Sequence, residues 1–555
     1  MKLQRPAGGS QVKFYARYLN ALTTRASTNL SRDYITMIPS HQVNQQNCIN
    51  VEGKSDKIVC TCDERTCDQL NFDWPQQPGQ GYLVETTRAG ARFKVSELDA
   101  ATSGDGSRAR PIGTVRVKLN SKRQTILGWG GAFTDAAAIN IKALKPNMSE
   151  LLLQSYFGPQ GLQYNFGRVP IAGSDFSTRP YSYADSPTPD YDLTSWSLAS
   201  EDVDFKIPVI KRANEIAMST TGSELKLFAS PWSPPKWMKT NNKFARGHLI
   251  DEDRVYRSYA NYLVKFYDAY KAQGLDFWGA TVQNEPMAAF LPFYYFNSLQ
   301  MGNAQTIKFI SKYLGPALEA YGYTKSNFKL MVGDDSLGFL NMQVPTIMKD
   351  PGVQKYVSGL AFHWYTSGLV APYWLLTRVV DEVKEHIEFV MMSEACTGSM
   401  MNSKHVDLGS WERGESYATD IIEDLRRHTG AWIDWNLALD TTGGPNWAKN
   451  LVDSPIIVDK EANKFYKQPM FYVLAHFSRF FRPGSIYTDL ELEGGARSFG
   501  QLMFVAAKIE ESGHVVVSVL NKMNKPEEFN LVVDTKKLGP IRVEARSIST
   551  VVLKL

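Results

Sequence analysis

Several features that would mark whole classes of protein are missing from this chain of 555 residues. No run approaches the roughly 18 consecutive apolar residues that a membrane helix needs, so we expect no segment that spans a bilayer. Low-complexity tracts, heptad runs and short exact repeats are also absent. The formal net charge is only +4 and is spread evenly along the chain, so the composition does not favour a nucleic-acid-binding protein.

Signatures of several enzyme classes are absent as well. The sequence has no His-Glu-x-x-His zinc motif, no Gly-x-Ser-x-Gly nucleophile elbow and no Walker phosphate loop, so these chemistries find little support. Cys396 has no evident histidine partner in the sequence, and we therefore expect a buried free thiol at this position. We interpret His363 as a hydrogen-bonded structural histidine, with a ligand or a base as the alternative.

Cysteine is scarce and unevenly placed. Four of the five cysteines lie within twenty residues, from Cys48 to Cys67. The Cys60-Thr61-Cys62 spacing is tighter than the usual gap of a zinc knuckle, so two disulfides in a small loop-rich module fit better than zinc. Disulfides indicate a secretory or lumenal compartment. The sequons at Asn29 and Asn147 agree weakly with that compartment and are candidate glycosylation sites.

The first 47 residues do not match this compartment. They contain no apolar signal core, so no signal peptide is evident. We predict a leader-like or disordered N-terminal extension over residues 1–47. Either the start of the chain is atypical, or the recorded N-terminus differs from the native one.

A pattern of alternating elements runs from about residue 124 to 484. Eight short apolar segments alternate with longer segments of helical periodicity. This pattern predicts a (β/α)8 TIM barrel, in which catalytic groups lie at the C-terminal ends of the strands. A doubly wound open sheet is the alternative, but no glycine-rich phosphate turn follows the first segment. The predicted strands are Ile126–Ala132, Leu162–Pro170, Leu225–Ala229, Phe277–Val282, Lys329–Gly333, Gly359–His363, Glu388–Ser393 and Trp432–Trp435.

Outside this region the apolar period changes to that of β-strands. From about 485 to 555 the chain reads as short alternating strands separated by turn residues, and residues 78–123 carry similar strands such as Thr114–Leu119. Each flank is too short for a full sandwich of about seven strands. We therefore predict that the two flanks pair into one accessory β-sandwich domain.

Two glutamates fall at the mouth of the predicted barrel. The fourth strand runs into Asn284-Glu285-Pro286, and the seventh runs into Glu394-Ala395-Cys396. Pro286 disfavours helical geometry at Glu285 and places it in an extended or turn conformation. Hydrolysis of an acetal needs two facing carboxyl groups, one that protonates the leaving oxygen and one that attacks the anomeric carbon. A single glutamate is more often a solvated or salt-bridged side chain, but this pair predicts a glycosidase.

Other polar and aromatic residues gather at the remaining strand ends. Each tryptophan alone is more often a core residue than a platform for a sugar, and it is their shared rim that favours the second interpretation. Arg168 is a candidate to stabilise the charge of a nucleophilic carboxylate. The residues are Arg168 and Asp175 after strand two, Trp232 and Trp237 after strand three, His363-Trp364-Tyr365 after strand six, and Asp434-Trp435-Asn436 at strand eight.

Longer motifs around these residues carry a family resemblance. The motifs are Arg168-Val169-Pro170, Ser174-Asp175-Phe176-Ser177, Ser230 to Trp237, Thr281 to Pro286, Ser393 to Cys396, Asp434 to Leu439, and Gly443 to Val458. They closely resemble the acid β-glucosidases (glucosylceramidases) of glycoside hydrolase family 30, and the similarity extends from about Cys48 to the C-terminus. Two features depart from the family: a serine replaces its usual cysteine at Ser174, and the loop around Phe290–Asn297 differs from the vertebrate pattern.

The resemblance implies a retaining mechanism with Glu285 as acid/base and Glu394 as nucleophile. It also implies the disulfides Cys48–Cys60 and Cys62–Cys67, and it implies neither a metal nor a cofactor. The implied contacts to glucose are Asp175, Trp232, Asn284 and Trp435, with Asn450 as a weaker member and Tyr365 lining the mouth beside the glutamates.

The resemblance also implies a division of the chain. Residues 48–77 with 437–468 would form a small disulfide-bonded β module. Residues 78–123 with 485–555 would form the β-sandwich domain, and residues 124–436 with 469–484 would form the catalytic barrel.

The implied reaction is hydrolysis of glucosylceramide in the lysosomal lumen, reached through the secretory pathway. The implied partners are an anionic lipid surface, a saposin-like activator and a lysosomal sorting receptor, with no nucleic acid. Protonation of the 8 histidines in an acidic compartment would favour attraction to anionic lipid. A related retaining barrel glycosidase acting on another β-linked glycan or glycoside is the alternative, and a non-catalytic sugar- or lipid-binding relative is a more distant one.

Overall fold

The computed structural model describes residues 48–54, 56–98, 111–399, 404–494 and 499–555. The extension predicted over 1–47, with its sequon at Asn29, lies outside these residues. Within the described part of the chain, no helix is both long enough and apolar enough to cross a bilayer.

Eight parallel strands close into a barrel, in which the last strand pairs with the first. The predicted (β/α)8 barrel is confirmed, and the open sheet is excluded. The strands lie within a few residues of the predicted segments because each is a buried apolar run that ends at polar or turn residues. They are β1 (Gly128–Ala132), β2 (Phe166–Ile171), β3 (Lys226–Pro231), β4 (Phe277–Thr281), β5 (Lys329–Ser336), β6 (Val357–His363), β7 (Phe389–Glu394) and β8 (Thr429–Asn436).

Amphipathic helices connect and cover these strands. In the longest of them, Val255, Tyr259 and Phe266 recur at helical spacing and are fully buried, which is the pattern of a helix packed on a barrel. The α-helices of the described residues are α1 (Asp135–Ala143), α2 (Pro146–Phe157), α3 (Ile207–Thr221), α4 (Asp253–Ala272), α5 (Asn303–Phe309), α6 (Gly315–Ala320), α7 (Leu337–Ile347), α8 (Pro351–Gln354), α9 (Trp374–Val383), α10 (Trp411–Leu425) and α11 (Pro469–Ser478).

Two sheets outside the barrel share an apolar core and form the accessory β-sandwich. Strands from both flanks of the barrel contribute to each sheet, so the two flanks pair as the strand pattern predicts. The first sheet contains, in spatial order, Ile486–Thr488, Leu502–Ile509, His514–Asn521, Ser547–Lys554, Gly81–Thr87 and Lys94–Glu97; the second contains Leu490–Glu493, Thr114–Val117, Glu527–Val533 and Lys536–Val543.

A third sheet joins the N-terminal segment to residues that follow β8. Its strands, in spatial order, are Cys48–Asn50, Ile58–Cys62, Lys464–Lys467, Ile456–Asp459 and Leu439–Asp440. Disulfides join Cys48 to Cys60 and Cys62 to Cys67, and such crosslinks stabilise a small module that has little apolar core of its own. The candidate glycosylation residue Asn147 is exposed near the start of α2.

Candidate active site

The barrel brings its two predicted glutamates together at one end. Glu394 is the last residue of β7, and Glu285 lies four residues beyond the end of β4. An oxygen of each carboxylate and a ring nitrogen of His363 all lie within 4.8 Å of one another. Glu285 is 9% exposed and Glu394 is 6% exposed, so most of the surface of each side chain is removed from water.

Arg168, in β2, lies beneath this pair and is fully buried. One terminal nitrogen donates to Glu394, and the other donates to Asn284 Oδ1 at 2.7 Å and to Asp334 Oδ2 at 3.0 Å. The guanidinium also lies 5.0 Å from the ring centre of Trp232. A guanidinium that is charged at all relevant pH values thus stabilises the negative form of the Glu394 carboxylate and fixes its orientation.

His363 ends β6 and lies between the glutamates. Its Nδ1 is 3.2 Å from Glu285 Oε1 and 4.0 Å from Glu394 Oε1, and its Nε2 is 3.1 Å from Asp334 Oδ1. Burial disfavours the imidazolium, but the charge of Glu394 and the hydrogen bonds to Asp334 and Glu285 raise the pKa of His363 to about 10. His363 is hydrogen-bonded as expected, but its partners belong to the active site.

Two aspartates of β5, Asp334 and Asp335, complete the buried network, and neither was predicted as a site residue from the sequence. Asp334 accepts from Arg168, His363, Ser393 and Thr281. Burial opposes its charge, but Arg168 and His363 hold the pKa of Asp334 well below its usual range. The predicted fifth strand ends at Gly333, one residue before Asp334. The pair of acidic residues directly after this strand was the sequence signal that could have identified Asp334 and Asp335.

Asp335 holds the turn that carries Glu285. Its carboxylate accepts from the backbone N–H of Met287 at 2.8 Å and of Ala288 at 3.2 Å. Burial and the charge of Glu285 raise the pKa of Asp335 to about 7. Glu285 itself has φ of +46°, a left-handed turn conformation that costs a non-glycine residue energy and is held here by the contacts around the turn.

Tyr294 is a further site residue that no sequence signal pointed to. It lies in the loop after β4, is buried, and donates its hydroxyl hydrogen to Glu285 Oε2. Burial and the charge of Glu285 raise the pKa of Tyr294 well above its usual value, so the hydroxyl stays protonated. Nothing in the sequence distinguishes Tyr294 from an exposed loop residue, because only the folded loop places it next to Glu285.

A stacked pair of tryptophans lies against Arg168, and two asparagines contact Asp175. The rings of Trp232 and Trp435 stack with centres 5.2 Å apart. Asp175 Oδ2 accepts from Asn450 at 3.0 Å and from Asn446 at 3.3 Å. Burial raises the pKa of Asp175 to about 7 despite these donors. The predicted contact residues therefore lie close together beside the two glutamates, whose charges also act on Asp175, and Asn446 joins them.

Tyr365 contacts both the candidate nucleophile, Glu394, and the nearby thiol of Cys396. Its hydroxyl donates to Glu394 Oε1 at 2.7 Å and lies 3.3 Å from the sulfur of Cys396. Cys396 is a free, buried thiol, and burial raises its pKa well above the usual value. A thiol that remains protonated is a poor nucleophile.

Two residues at the predicted strand ends, Trp237 and Asp434, bond to structural partners. Trp237 donates its indole hydrogen to the carbonyl of Ala184 and packs edge-on against Tyr191. Asp434 accepts from Tyr417 at 2.7 Å, and burial raises the pKa of this aspartate to about 8. Both side chains are structural, which agrees with the core interpretation for Trp237.

Two groups of side chains in the described residues have the spacing of a metal site. One is Glu285, His363 and Glu394, and the other is Cys62, Cys67 and Asp68. Both ring nitrogens of His363 are already within hydrogen-bond distance of carboxylates, those of Glu285 and Asp334, and the two cysteine sulfurs of the second group are joined in a disulfide. Neither donor set therefore fits a resident cation in its present state.

Residues 126–481 match the glycosyl hydrolase family 30 TIM-barrel domain. The chain belongs to glycosyl hydrolase family 30. This family 30 chain is therefore a glycoside hydrolase, and its two glutamates occupy the barrel end at which such enzymes carry their chemistry.

Known relatives of this family 30 chain are similar over most of its length. It is 39% identical over 501 residues to the lysosomal acid glucosylceramidase of Mus musculus, covering 89% of this chain and 92% of the relative. It is 38% identical over 504 residues to the Caenorhabditis elegans protein named "Putative glucosylceramidase 4", covering 90% and 93%. The crystal structure of SrfJ from Salmonella typhimurium superposes with a TM-score of 0.74 at 25% identity, covering 86% and 100%.

Proposed function

We propose that this protein is a retaining β-glucosidase that hydrolyses glucosylceramide to glucose and ceramide. The spacing of the glutamates carries the proposal, because their nearest oxygens are within 4.8 Å of each other. Retaining glycosidases hold the two carboxyl groups about 5–5.5 Å apart, whereas inverting enzymes need about 6.5–9.5 Å for an intervening water. The close pair favours direct attack by one carboxylate on the sugar.

In the first step, Glu394 attacks the anomeric carbon while Glu285 gives a proton to the departing oxygen. Arg168 and Tyr365 each donate to Glu394, which orients the attacking oxygen. Arg168 and His363 carry two positive charges that are matched by Asp334 and Glu394, which favours the charged form of the attacking carboxylate. The products are free ceramide and a glucose joined covalently to Glu394.

In the second step, Glu285 removes a proton from a water that attacks the same carbon from the face the ceramide left. The bond to Glu394 breaks, and glucose leaves with its original β configuration. Tyr294 and His363 hold Glu285 in place throughout. Because Asp335 titrates near pH 7 and its charge faces Glu285, its protonation at acid pH removes a repulsive charge beside the acid/base.

The remaining contacts would recognise the glucose ring. Asp175, held by Asn446 and Asn450, would accept from sugar hydroxyls. Asn284, already bonded through its oxygen to Arg168, would offer its amide hydrogens to the hydroxyl next to the anomeric carbon. Trp232 and Trp435 would contact the apolar face of the ring. Such bonds accelerate the reaction to the extent that they strengthen in the transition state.

The substrate and the location follow from similarity. The mouse relative is named a lysosomal acid glucosylceramidase, and two disulfides suit a chain that folds in an oxidising compartment. We therefore propose a lysosomal enzyme that works on a membrane surface, with a saposin-like activator and a lysosomal sorting receptor as its protein partners.

The decisive experiment compares a lipid and a soluble substrate. Glucose release is measured from glucosylceramide in mixed vesicles and from an aryl β-glucoside, at about pH 5 and about pH 7, with the anomer of the first product read by NMR. Both substrates should be cleaved, faster at acid pH, with β-glucose released first. Glu285→Gln should abolish lipid hydrolysis, whereas the exposed control Glu382→Gln should leave it unchanged.

Other results would reject parts of the proposal. Release of α-glucose first would overturn the retaining mechanism. Cleavage of the aryl glucoside alone, unchanged by added activator, would overturn the lipid substrate and favour a related glycosidase for another β-linked glycan. Failure of the folded protein to cleave either substrate would overturn the β-glucosidase assignment.

A further inference from the structure

A buried lysine joins the loops that follow β3 and β4. Lys239 lies in the loop after β3 and is only 2% exposed. Its ammonium donates to the hydroxyl of Ser233 at 3.0 Å, to the carbonyl of Phe244 at 2.6 Å and to the carbonyl of Ser298 at 2.5 Å. Since Ser298 belongs to the loop after β4 (282–302), the third bond connects the two loops. An ammonium has three N–H donors, and each has an acceptor here.

No carboxylate of the described residues forms an ion pair with this ammonium. The two aspartate and glutamate side chains at the end of the loop after β3 (232–252) are paired elsewhere, Asp251 with Lys308 at 2.7 Å and Glu252 with Arg254 at 2.6 Å. In the described structure, none of the other titratable side chains of the two loops bonds to the ammonium either. They are Lys236, Lys243, Arg246, His248, Glu285, Tyr294 and Tyr295.

A buried charge without a counter-ion costs free energy. Burial therefore lowers the pKa of Lys239 to about 7, so the side chain is charged below about pH 7 and neutral above it. A neutral amine has only two N–H donors for the three acceptors, and its lone pair cannot bond to the third. A buried oxygen that loses its donor is destabilised. The connection between the loops is therefore complete only while Lys239 is charged.

The segment that Lys239 holds in the loop after β4 carries two groups of the active site. Tyr294, four residues before Ser298, donates to Glu285 Oε2. Asn297 is fully buried and donates to the carbonyl of Gly173 at 2.8 Å, close in sequence to Asp175. A shift of this segment would move the donor that holds Glu285.

We propose that Lys239 is a positioning residue for the acid/base, because its ammonium holds the loop after β4 where Tyr294 contacts Glu285. Lys239 acts through Ser298 and Tyr294 rather than on the substrate. The inference rests on the proposed function, in that Glu285 is the acid/base of a β-glucosidase. Loss of the ammonium would leave Glu285 less well oriented to protonate the departing oxygen.

The dependence of the rate on the leaving group tests this role. A general acid contributes about 10²–10⁴-fold to the departure of a basic leaving group, whereas a dinitrophenolate is acidic enough to leave without a proton. At about pH 5, Lys239→Met should therefore lower kcat/KM about 10-fold on phenyl β-glucoside and less than about twofold on dinitrophenyl β-glucoside. An equal loss on both substrates would indicate a smaller active fraction and would overturn the proposal.

A matched control comes from the opposite end of β3. Lys226 is the first residue of that strand, is half-buried, and lies 5.5 Å from the ring centre of Phe166. Lys226→Met makes the same change of side chain away from the mouth and should leave kcat/KM on both substrates unchanged. A selective loss on phenyl β-glucoside in this control as well would overturn the assignment to Lys239.

A double-mutant cycle tests whether Lys239 acts through Tyr294. Residues that act through one another have non-additive effects. On phenyl β-glucoside, Lys239→Met/Tyr294→Phe should therefore be about as slow as the slower of the two single variants. A loss equal to the product of the two single losses would overturn this path.

The pH dependence tests whether the charge is needed. Lys239 loses its proton as pH rises through about 7, so wild type should come to resemble Lys239→Met. The ratio of their kcat/KM values on phenyl β-glucoside should be largest at about pH 5 and should approach one above about pH 8. A ratio that does not change with pH would overturn the requirement for an ammonium.

Amide hydrogen exchange tests the same connection without turnover. After correction for intrinsic rates, the peptide 290–301 should exchange faster in Lys239→Met than in wild type, and faster in wild type at about pH 8 than at about pH 6. Helix α11 in the same samples is the reference and should not change. The wild-type comparison needs no variant, so poor folding of Lys239→Met would not remove the test.

The exchange measurement also separates this inference from the proposed function. Unchanged exchange of the peptide 290–301 in wild type between the two pH values would overturn the role of Lys239, whatever the activity. An enzyme that cleaves neither glucoside would reject the proposed function, and the exchange rates would still decide whether the ammonium holds the loop.

Discussion

Two buried groups of carboxylates in this enzyme are neutralised in opposite ways. At the barrel mouth, Asp334 and Glu394 both accept from the guanidinium of Arg168. On helix α10, Asp420 and Asp424 lie one turn apart, and no basic side chain of the described residues forms an ion pair with either. Asp420 accepts from Tyr373 and Trp432, whereas both oxygens of Asp424 are buried without a donor.

The contrast shows that burial alone does not decide the charge of a side chain. Arg168 and His363 hold the pKa of Asp334 well below its usual range in spite of burial. Burial and the neighbouring charge of Asp420 raise the pKa of Asp424 well above its usual value. Asp334 is therefore neutralised by cations and keeps its charge, while the α10 pair is neutralised by a proton.

Loss of the nucleophile should have the largest effect and should separate the two regions most clearly. Glu394→Gln is expected to reduce kcat by at least about 10⁴-fold, because the amide cannot form the covalent intermediate. Asp424→Asn, the matched acid-to-amide change on α10, should leave kcat within about twofold. Steady-state kinetics on an aryl β-glucoside measures both. A comparable loss in Asp424→Asn would show that the α10 pair also serves catalysis.

Removal of the Arg168 guanidinium should leave the mouth carboxylates with His363 as their remaining cation. Arg168→Met leaves Asp334 and Glu394 without their shared partner, and we expect the free energy of unfolding to fall by about 3–5 kcal/mol. Urea unfolding at neutral pH measures this loss. Adding Asp334→Asn should recover part of the stability, since the second substitution removes one of the two negative charges that Arg168 balances. If it recovers none, charge neutralisation is not the role of Arg168.

Two tyrosine hydroxyls give a smaller test of the same contrast. Tyr294 donates to Glu285 at the mouth, and Tyr373 donates to Asp420 beside α10. A hydrogen bond to a carboxylate contributes about 1.5–3 kcal/mol. We therefore expect Tyr294→Phe to lower kcat/KM by about 10-fold or more, whereas Tyr373→Phe should lower only the thermal midpoint. Unchanged kcat/KM in Tyr294→Phe would remove this residue from the positioning of Glu285.

The smallest expected effect is a gain of stability with a defined pH dependence. Because the folded-state pKa of Asp424 is raised, the folded protein binds this proton more tightly than the unfolded chain. The stabilisation from this group is therefore complete below about pH 4 and is lost as pH rises through the folded pKa. Asp424→Asn should raise the free energy of unfolding by about 1–2 kcal/mol at pH 7 and by much less at pH 4. A gain of the same size at both pH values would contradict the titration of Asp424 as the cause.

The barrel and its glutamate pair could be predicted because both depend on local patterns. Buried strands are short apolar runs, and a residue just beyond such a run lies at the mouth wherever the strand sits in the barrel. Glu285 and Glu394 needed only this rule. Asp334 was missed because the fifth strand runs three residues further than its apolar segment, so its acidic end is still part of the sheet.

The positions of Tyr294 and Asn446 in the site could not be predicted from the strand pattern. Each belongs to a long loop whose path is set by contacts with other loops, such as the bridge from Lys239 to Ser298 beside Tyr294. The types and spacing of residues in the sequence do not predict these contacts.

The sequence by itself therefore determined the order of strands and helices, the pairing of the flanks, and the family to which the chain belongs. The periodicity of apolar residues and the motifs at strand ends are local features of the sequence, so they can be recognised without a structure. The tertiary structure alone decided which carboxylates carry charge and which loops meet around the mouth. Those properties depend on distances between residues that are remote in the chain, and electrostatic energy in a buried site is governed by such distances.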